Sequence, residues 1–176
     1  IVRTQSTDML REVMRTMIPE QLMPVLHQSS FTAWKGLPGQ QQNKGEVSDE
    51  LLVQGYRSQA DLLALAIEAV VARTTRERVS LVLEGVHMHP AFMEKLQAET
   101  DTVVIPIMLG MLQRKHLEQR ITMRSNNAPD RGGAHYLQYF EEIWRLQTYL
   151  LSEADRANIH IVVNDSRDKL FSEIMR

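Results

Sequence analysis

The sequence predicts an α/β fold in which a parallel sheet is covered by helices on both faces. Two apolar runs, residues 80–86 and 102–109, are typical of strands that are buried on both sides. Residues 49–73 and 136–157 instead carry apolar side chains at intervals of three and four, the pattern of amphipathic helices. Strands that alternate with helices in this way are expected to run parallel.

The first part of the chain is expected to form a strand, a helix and an irregular stretch. Residues 1–5 are half β-branched, which favours a strand, and Thr7 or Asp8 can cap the helix that follows. Prolines after Ile18 are expected to break that helix. Two segments without a clear period come next, residues 27–34 and the glycine- and glutamine-rich loop of residues 36–46.

The rest of the chain continues the alternation. Ser48 is the expected cap of the first long helix, and Pro90 suits the first turn of a helix that ends near Ala98. Pro106 cannot donate to a sheet, so we place it near the end of the strand at residues 102–109. The remaining elements are a basic helix at residues 113–124, a loop at 125–133, a strand at 159–163 and a closing helix at 168–175.

Composition excludes several classes of protein. The chain has 176 residues, enough for a single domain with a substantial core. A net charge of −2 without a long basic block gives no support for nucleic-acid binding, and no apolar run is long enough to span a bilayer. The absence of cysteine excludes disulfides, thiolate metal sites and a cysteine nucleophile. We expect a cytoplasmic protein that acts on small molecules, with neither nucleic acid nor membrane as a partner.

Polar residues follow each predicted strand, at the edge where parallel sheets bind their ligands. Because these ends share one rim, an acid pair and a basic cluster are expected to converge in one cleft. Such a cleft suits phosphoryl transfer, in which acids hold Mg²⁺ or accept a proton and arginines neutralise the migrating group. The polar groups are Ser6, Thr7 and Asp8; Glu84, Gly85 and His87; Gln113, Arg114 and Lys115; and Asn164 and Asp165.

Several of these residues have an equally simple structural explanation. Asp8 is a favoured residue type at a helix N-cap, and Asn164 with Asp165 is a common turn pair. Arg11 and Arg15 share one face of the first helix, where they could bind an acidic substrate or simply face solvent.

The turn after the second strand carries the more specific signal. Glu84 is a carboxylate placed directly after a buried strand, a position rarely chosen for packing, so we favour a function in metal binding. Gly85 would let the backbone approach a ligand closely. His87 and His89 lie two residues apart without a third ligand, which is weak evidence for zinc. His87 could still contact substrate.

Five segments together resemble the 2-phosphoglycerate kinase family of P-loop kinases. They are STDMLREVMR, LHQSSFTAW, LVLEGVHMHP, KHLEQRITMR and HYLQYFEEIWRLQTYL, in this order from Ser6 to about Asp165. The resemblance implies a nucleoside-monophosphate-kinase-like sheet in a single domain of residues 1–176, with a lid at about residues 113–133. It also implies transfer of the γ-phosphate of ATP to 2-phosphoglycerate, which gives 2,3-bisphosphoglycerate.

The same resemblance implies a role for each candidate residue. Catalysis would rest on Asp8, Glu84, Arg120 and Arg124, of which Asp8 and Glu84 would also bind Mg²⁺ and the two arginines would close with the lid. Substrate binding would involve Arg11, Arg15, His87 and Trp34, and nucleotide binding would involve Arg114, Lys115 and Asn164. Weaker candidates for the acceptor pocket and lid are His27, Ser29, Ser30, Thr32, Lys35 and Arg131.

One part of the family pattern is missing. The sequence contains no G-x-x-x-x-G-K-[ST] motif, the loop that cradles nucleotide phosphates. In the family this loop follows a central strand that lies just before the segment where this chain begins. We therefore expect the intact protein to carry roughly 25 or more further N-terminal residues. Two alternatives stay open: a catalytically inactive nucleotide- or metabolite-binding domain of the same fold, and a P-loop kinase with a different small-molecule acceptor.

Overall fold

The computed structural model describes residues 2–40, 45–99, 102–127 and 133–164, which belong to two compact units, Ile1–Val104 and Ile105–Arg176. The first unit contains strands β1 (Val2–Ser6) and β2 (Ser80–Glu84) and helices α1 (Thr7–Met17), α2 (Asp49–Glu77) and α3 (Pro90–Glu99). The second contains strands β3 (Ile107–Gly110) and β4 (His160–Val163) and helices α4 (Arg114–Asn127), α5 (Gly133–Gln138) and α6 (Phe140–Arg156).

Strands β1 and β2 pair in parallel, with Val2 opposite Ser80 and Ser6 opposite Glu84. Helix α1 begins immediately after β1 and ends at Met17, which confirms the predicted break. The predicted cap is wrong, because the N-cap position is Ser6 and its side chain makes no capping bond. Asp8 lies in the first turn instead, where a carboxylate is favoured by the unpaired N–H groups of the helix start.

Helix α2 forms the core of the first unit. Its predicted cap is confirmed, since Ser48 Oγ accepts a hydrogen bond from the Leu51 N–H at 3.2 Å. The helix continues four residues beyond the predicted end at Arg73. Its buried stripe recurs every three or four residues and consists of Leu52, Tyr56, Gln59, Ala60, Leu63 and Ile67. This stripe packs against residues 24–36, which form two short 3-10 turns, Pro24–His27 and Ala33–Gly36, in the stretch that showed no helical period.

The strands are less buried than the sequence predicts. In β2 burial alternates, so that Leu81 and Leu83 are half-buried whereas Val82 is 50% exposed. Val103 and Ile105, which were expected within a buried strand, are exposed and precede β3. Among the described residues each strand has one hydrogen-bonded neighbour, so the expected single sheet is divided into two parallel pairs. A strand with one hydrogen-bonded neighbour and one covered face leaves its other face exposed. This explains why the strands are less buried than the sequence predicted.

The second unit confirms the basic helix and the last strand. β3 and β4 pair in parallel, with Ile107 opposite His160 and Gly110 opposite Val163. Two boundaries differ from the prediction: Pro106 precedes β3 rather than ending it, because a strand tolerates proline only at its edge, and α4 extends into the expected loop as far as Asn127. The long helix of residues 136–157 is interrupted at Tyr139, between α5 and α6. The expected helix at 168–175, Arg131 and Asp165 lie outside the described residues.

In the described part of the chain, no helix combines the length and apolar character needed to cross a membrane.

Candidate active site

The two acids predicted to act in catalysis stand at the ends of neighbouring strands. Glu84 closes β2 opposite Ser6, and Asp8 lies two residues beyond Ser6 in the first turn of α1. Both side chains are exposed. The Nε of Arg11 lies 3.7 Å from Oδ1 of Asp8, which is an ion-pair distance but too long for a hydrogen bond. The structure therefore presents two carboxylates at one edge of the β1–β2 pair, as the sequence predicted.

The turn after β2 is shaped by a close approach at Gly85. The glycine has φ +138°, a backbone conformation that residues with a Cβ rarely adopt. A Cβ added at this position would lie 1.9 Å from Thr7 Oγ1. The sequence predicted that Gly85 lets the backbone approach a ligand, whereas the group that approaches it here is the side chain of Thr7.

His87 is buried at the centre of a hydrogen-bonded chain of side chains. The residue is 1% exposed, and its Nδ1 lies 2.9 Å from Thr7 Oγ1. Its Nε2 lies 3.0 Å from Gln59 Oε1 and 3.3 Å from Ser30 Oγ. We call Thr7, His87 and Gln59 the buried relay. The expected direct contact between His87 and a substrate is not supported, because the ring is enclosed and both of its nitrogens are engaged.

The direction of each bond in the relay follows from the donors available. The amide nitrogen of Gln59 donates to two carbonyl oxygens, of Val25 at 2.6 Å and of Gln28 at 2.9 Å. Its Oε1 must therefore face His87, and because Oε1 can only accept, Nε2 of His87 must carry the proton. Nδ1 of the neutral ring is then an acceptor, and the Thr7 hydroxyl donates to it. This assignment rests on the bonding pattern.

Burial keeps His87 neutral. The pKa of His87 is lowered from its ordinary value of 6.5 to about 4, chiefly because the ring loses its solvent; the charge of Asp8 opposes this shift and the charge of Arg11 adds to it. The neutral tautomer that the relay requires is therefore the form present at neutral pH.

Further hydrogen bonds connect residues 24–36 to α1 and the turn after β2 to α2. Nη1 of Arg11 donates to the carbonyl oxygens of Leu26 and Gln28, both at 3.2 Å. The hydroxyl of Tyr56, which is fully buried, donates to the Val86 carbonyl oxygen at 2.8 Å. Arg11 thus bonds backbone of the chain itself, although its Nε is buried without a hydrogen-bond partner in the described structure.

The other predicted substrate-binding residues differ in environment. Trp34 is buried, and its Nε1 is a second buried donor without a hydrogen-bond partner among the described residues. The ammonium group of Lys35 lies 5.4 Å from the centre of the Trp34 ring. Arg15 forms an ion pair with Glu12 on the same helix. A cleft of about 270 Å³ runs along this region, lined by Glu20, Gln21, Pro24, Gln28 and Lys35.

In the second unit the predicted basic residues lie on an exposed helix. Arg114 pairs with Glu141, and its guanidinium carbon lies 5.0 Å from the centre of the Phe140 ring. Lys115 and Arg120 are exposed, while only the backbone of Arg124 is described. Asn164 follows β4, and its N–H donates to the Gly110 carbonyl oxygen at 2.8 Å. The structure therefore supplies positive charge after β3, and Arg120 makes no hydrogen bond or ion pair with another of the described residues.

Three residues that matter to these arrangements were missed in the sequence. Tyr56 and Gln59 belong to the buried relay and its surroundings, and Gln147 bonds both backbone groups of Met111, accepting from its N–H at 3.1 Å and donating to its oxygen at 3.0 Å. A signal for Gln59 existed, because it is the polar member of an otherwise apolar helical stripe. A buried amide needs partners, so such a position predicts a hydrogen-bonded role.

The acid pair fits a hard cation that keeps much of its water. Within the described residues, no group of three or more His, Asp or Glu side chains is placed to hold a metal ion. Mg²⁺ does not need one, since it is commonly held by one or two carboxylates together with waters and substrate phosphates. Asp8 and Glu84 could supply such carboxylates.

These features define a class of protein: an α/β protein built from parallel strand pairs, with acids at one pair's carboxyl ends and a basic helix after another strand. Comparison with known proteins is more specific. The chain is 33% identical over 169 residues to 2-phosphoglycerate kinase of Pyrococcus horikoshii, and 32% identical over 169 residues to that of Pyrococcus furiosus. In both cases the match includes 96% of this chain and 52% of the relative.

A third relative, 2-phosphoglycerate kinase of Methanopyrus kandleri, is 31% identical over 176 residues, which is 99% of this chain and 52% of that protein. The resemblance predicted from the sequence is confirmed: the chain is homologous to 2-phosphoglycerate kinases along nearly all of its length. It spans about half the length of these curated relatives. No family model and no solved structure matches the chain.

Proposed function

We propose that the protein carrying this chain is an ATP-dependent phosphotransferase that converts 2-phosphoglycerate to 2,3-bisphosphoglycerate. The observation that carries the proposal is the similarity of almost the whole chain to several proteins named 2-phosphoglycerate kinase. Because the chain corresponds to about half of each relative, the activity is proposed for the complete protein. The placement of two acids on adjacent strand ends supports the same chemistry.

In this proposal Asp8 and Glu84 act on the metal and the attacking hydroxyl. Bound Mg²⁺ would neutralise the phosphate oxygens of ATP, with the two carboxylates as ligands directly or through water. Asp8 would also orient the acceptor hydroxyl or accept its proton. The exposure of both carboxylates supports this assignment, since neither is consumed by packing.

The acceptor would be held by the first unit. Its carboxylate and phosphate need positive or N–H donors, and the buried Nε of Arg11 and Nε1 of Trp34, which have no hydrogen-bond partner among the described residues, are donors of this kind. Arg15 is a weaker candidate because it is already paired with Glu12. His87 would contribute by holding other groups in place rather than by touching the substrate.

The nucleotide would be bound by the second unit together with a phosphate-binding loop. Helix α4 carries Arg114, Lys115, Arg120 and Arg124, which we assign to a lid that closes over the phosphates and excludes water. Asn164 is proposed to lie near the nucleoside. No loop of the P-loop type occurs in this chain.

A P-loop kinase fold is the architecture that this assignment requires. The parallel pairing of β1 with β2 and of β3 with β4 supports it, because parallel strands joined through helices are the building unit of such a fold. In that fold the phosphate-binding loop would follow a central strand.

The test is a kinase assay on the complete protein with ATP, Mg²⁺ and 2-phosphoglycerate, in which ADP and 2,3-bisphosphoglycerate are both measured. Asp8→Asn and Glu84→Gln are expected to lower kcat by about 10²-fold or more, as loss of a group acting on the transition state does. Because both side chains are exposed, the free energy of unfolding should change by less than about 1 kcal/mol, of which Asp8 accounts for more through its place in the first turn of α1 and its ion pair with Arg11. Arg120→Ala is expected to lower kcat by about 10²–10³-fold, as loss of one donor to the transition state does, with equally little effect on folding.

Each other result identifies an alternative. No ADP above the Asp8→Asn background would indicate a catalytically inactive binding domain. Formation of ADP with another phosphorylated hydroxy acid, but not with 2-phosphoglycerate, would identify a kinase with a different acceptor. Wild-type turnover in Glu84→Gln would remove that residue from the site.

A further inference from the structure

We propose that the buried relay of Thr7, His87 and Gln59 fixes residues 24–36, the segment that the resemblance assigns to the acceptor pocket, relative to the two acids. This inference rests on the proposed function and deepens it. The three residues are positioning residues, since none of them is exposed to a substrate.

Each end of the relay is attached to a different part of the proposed site. Thr7 is the residue before Asp8, at the junction of β1 and α1. His87 follows Glu84 by three residues, beyond the tight approach of Gly85 to Thr7. Gln59 lies on α2 and donates to the backbone of Val25 and Gln28. A displacement of residues 24–36 therefore breaks bonds that also locate the two acid-bearing strand ends.

The backbone held by Gln59 is also a wall of the cleft beside residues 24–36. Pro24 and Gln28 line this cleft of about 270 Å³, and Gln59 bonds the carbonyl oxygens of Val25 and Gln28, which lie within that wall. Arg11 bonds the carbonyl oxygens of Leu26 and Gln28 from α1. The cleft wall is therefore held from two helices through backbone acceptors.

Only one assignment of donors and acceptors satisfies the relay, so its three side chains are expected to keep fixed positions relative to one another. Gln59 uses both amide hydrogens on carbonyl oxygens, so it cannot flip without losing two bonds. His87 must then donate from Nε2 and accept at Nδ1, and Thr7 must donate. A substitution that removes one donor leaves a buried acceptor unpaired, and the neighbouring groups are expected to move to satisfy it.

Loss of the relay is expected to impair use of the acceptor substrate more than binding of ATP. Residues 24–36 would lose their fixed position relative to Asp8, so the acceptor hydroxyl would be held in fewer productive geometries. The nucleotide is assigned to the second unit and to a phosphate-binding loop, whereas the bonds of the relay join residues of the first unit. The expected signature is a selective loss of acceptor use, which a simple loss of folded stability would not produce.

The experiment compares two matched substitutions in the complete protein. Thr7→Val and Thr74→Val both replace a buried hydroxyl by a methyl group, but the hydroxyl of Thr74 bonds carbonyl oxygens of its own helix, those of Val70 and Val71. In Thr7→Val, kcat/KM for 2-phosphoglycerate should fall by at least about tenfold while KM for ATP stays within about twofold. Thr74→Val should leave both within about twofold. Thr7→Ser restores the hydroxyl and should recover most of the loss.

A second variant reaches the relay from its other end. Gln59→Met keeps the side-chain length and removes the amide, and it should raise KM for 2-phosphoglycerate by about tenfold with KM for ATP unchanged. Hydrogen exchange of the backbone amides in residues 24–36 should accelerate in this variant and not in Thr74→Val. If Thr7→Val does not fold, Gln59→Met decides the question.

The outcomes separate the inference from the function on which it rests. A wild-type protein without turnover overturns both. An active wild type whose relay variants keep their KM for 2-phosphoglycerate overturns the inference alone. So does an equal loss for ATP and acceptor, or an equal loss in Thr74→Val, because either result would indicate general destabilisation.

Discussion

The two units share one motif, a pair of parallel strands followed by polar residues, but they fix those residues in different ways. After β1 and β2 the turn is fastened by buried hydrogen bonds, those of Thr7, His87, Gln59 and Tyr56. After β3 the chain is held by Gln147 at Met111 and by the ion pair of Arg114 with Glu141 on the surface.

The difference indicates how each unit is expected to work. A buried bond whose partner is removed costs about 1–3 kcal/mol, whereas an exposed ion pair contributes about 0–1 kcal/mol. The acids therefore sit on a rigid base, whereas the basic helix, beyond the buried bonds of Gln147 to Met111, is attached by a surface ion pair that breaks at little cost. Under the proposed function, the acceptor would be bound on the rigid base and the nucleotide by the adaptable basic helix.

The largest effect is expected from Gly85→Ala. The added Cβ would overlap Thr7 Oγ1, and the backbone at φ +138° is strained for any residue with a side chain. Thr7 would have to move and would lose its bond to His87. We expect the free energy of unfolding to fall by more than about 3 kcal/mol, measured by urea denaturation.

Gly39→Ala is the matched control for this substitution. Gly39 also has positive φ, at +77°, but a Cβ there has no heavy atom within 4 Å. Its cost should be limited to about 1–2 kcal/mol for the backbone conformation. If both variants lose the same stability, the overlap with Thr7 adds nothing to the cost, and the Thr7 side chain can move away without breaking the relay.

Local signals in the sequence predicted most of the helices and the position of the acids. Ser48, Pro90 and the prolines after Ile18 located helix ends because caps and breakers act within one turn. Asp8 and Glu84 were found because each stands at or just beyond the end of a predicted strand. The burial of the strands was not predictable in the same way, because it depends on how many neighbouring strands pair with each one. An apolar run such as residues 80–86 does not indicate that number.

The buried relay was missed for a related reason. Thr7 and His87 are 80 residues apart, and Gln59 and His87 are 28 apart, so no local pattern links them. Their residue types are individually unremarkable in a loop or a helix. Only the burial of Gln59 within the stripe that includes Tyr56 could have indicated that polar partners must lie opposite α2.

A second large effect on the free energy of unfolding is expected when the pH is lowered. His87 has a pKa of about 4 in the folded protein and about 6.5 when unfolded, because burial disfavours its charged form. The unfolded chain therefore binds the proton first, so the stability due to neutral His87 is complete above about pH 6.5 and is lost as the pH falls towards 4. The shift corresponds to about 3 kcal/mol.

The measurement is the free energy of unfolding at pH 7 and at pH 4.5 in the wild type and in His87→Gln. The variant should lose clearly less stability over this interval, because the titrating ring is absent. Asp8 and Arg11 are the charged groups that act on His87, so Asp8→Asn should shift the pH dependence towards a lower pKa of His87. Parallel pH profiles in wild type and His87→Gln would contradict the burial of a neutral ring.

A smaller effect is expected in the second unit from Gln147→Leu. This substitution leaves the N–H and the carbonyl oxygen of Met111 without their partner, and Met111 is buried. The expected loss is about 2 kcal/mol, by the usual cost of unpaired backbone groups. Gln97→Leu is the control, since Gln97 makes a single exposed bond to the Val104 carbonyl oxygen and should cost less than about 1 kcal/mol. Equal losses would indicate that Gln147 is as dispensable as a surface residue.

The smallest effect is expected from Arg114→Ala, and it bears most directly on the contrast between the units. The guanidinium is about half exposed, pairs with an exposed Glu141 and lies over Phe140. Ion pairs and cation–π contacts at such sites contribute little, so unfolding should become easier by less than about 1 kcal/mol. Arg11→Ala removes an arginine that is largely buried and bonded to two carbonyl oxygens, and it should cost about 1–3 kcal/mol. A ratio near one between the two losses would show that the rigid base and the adaptable helix are held equally well.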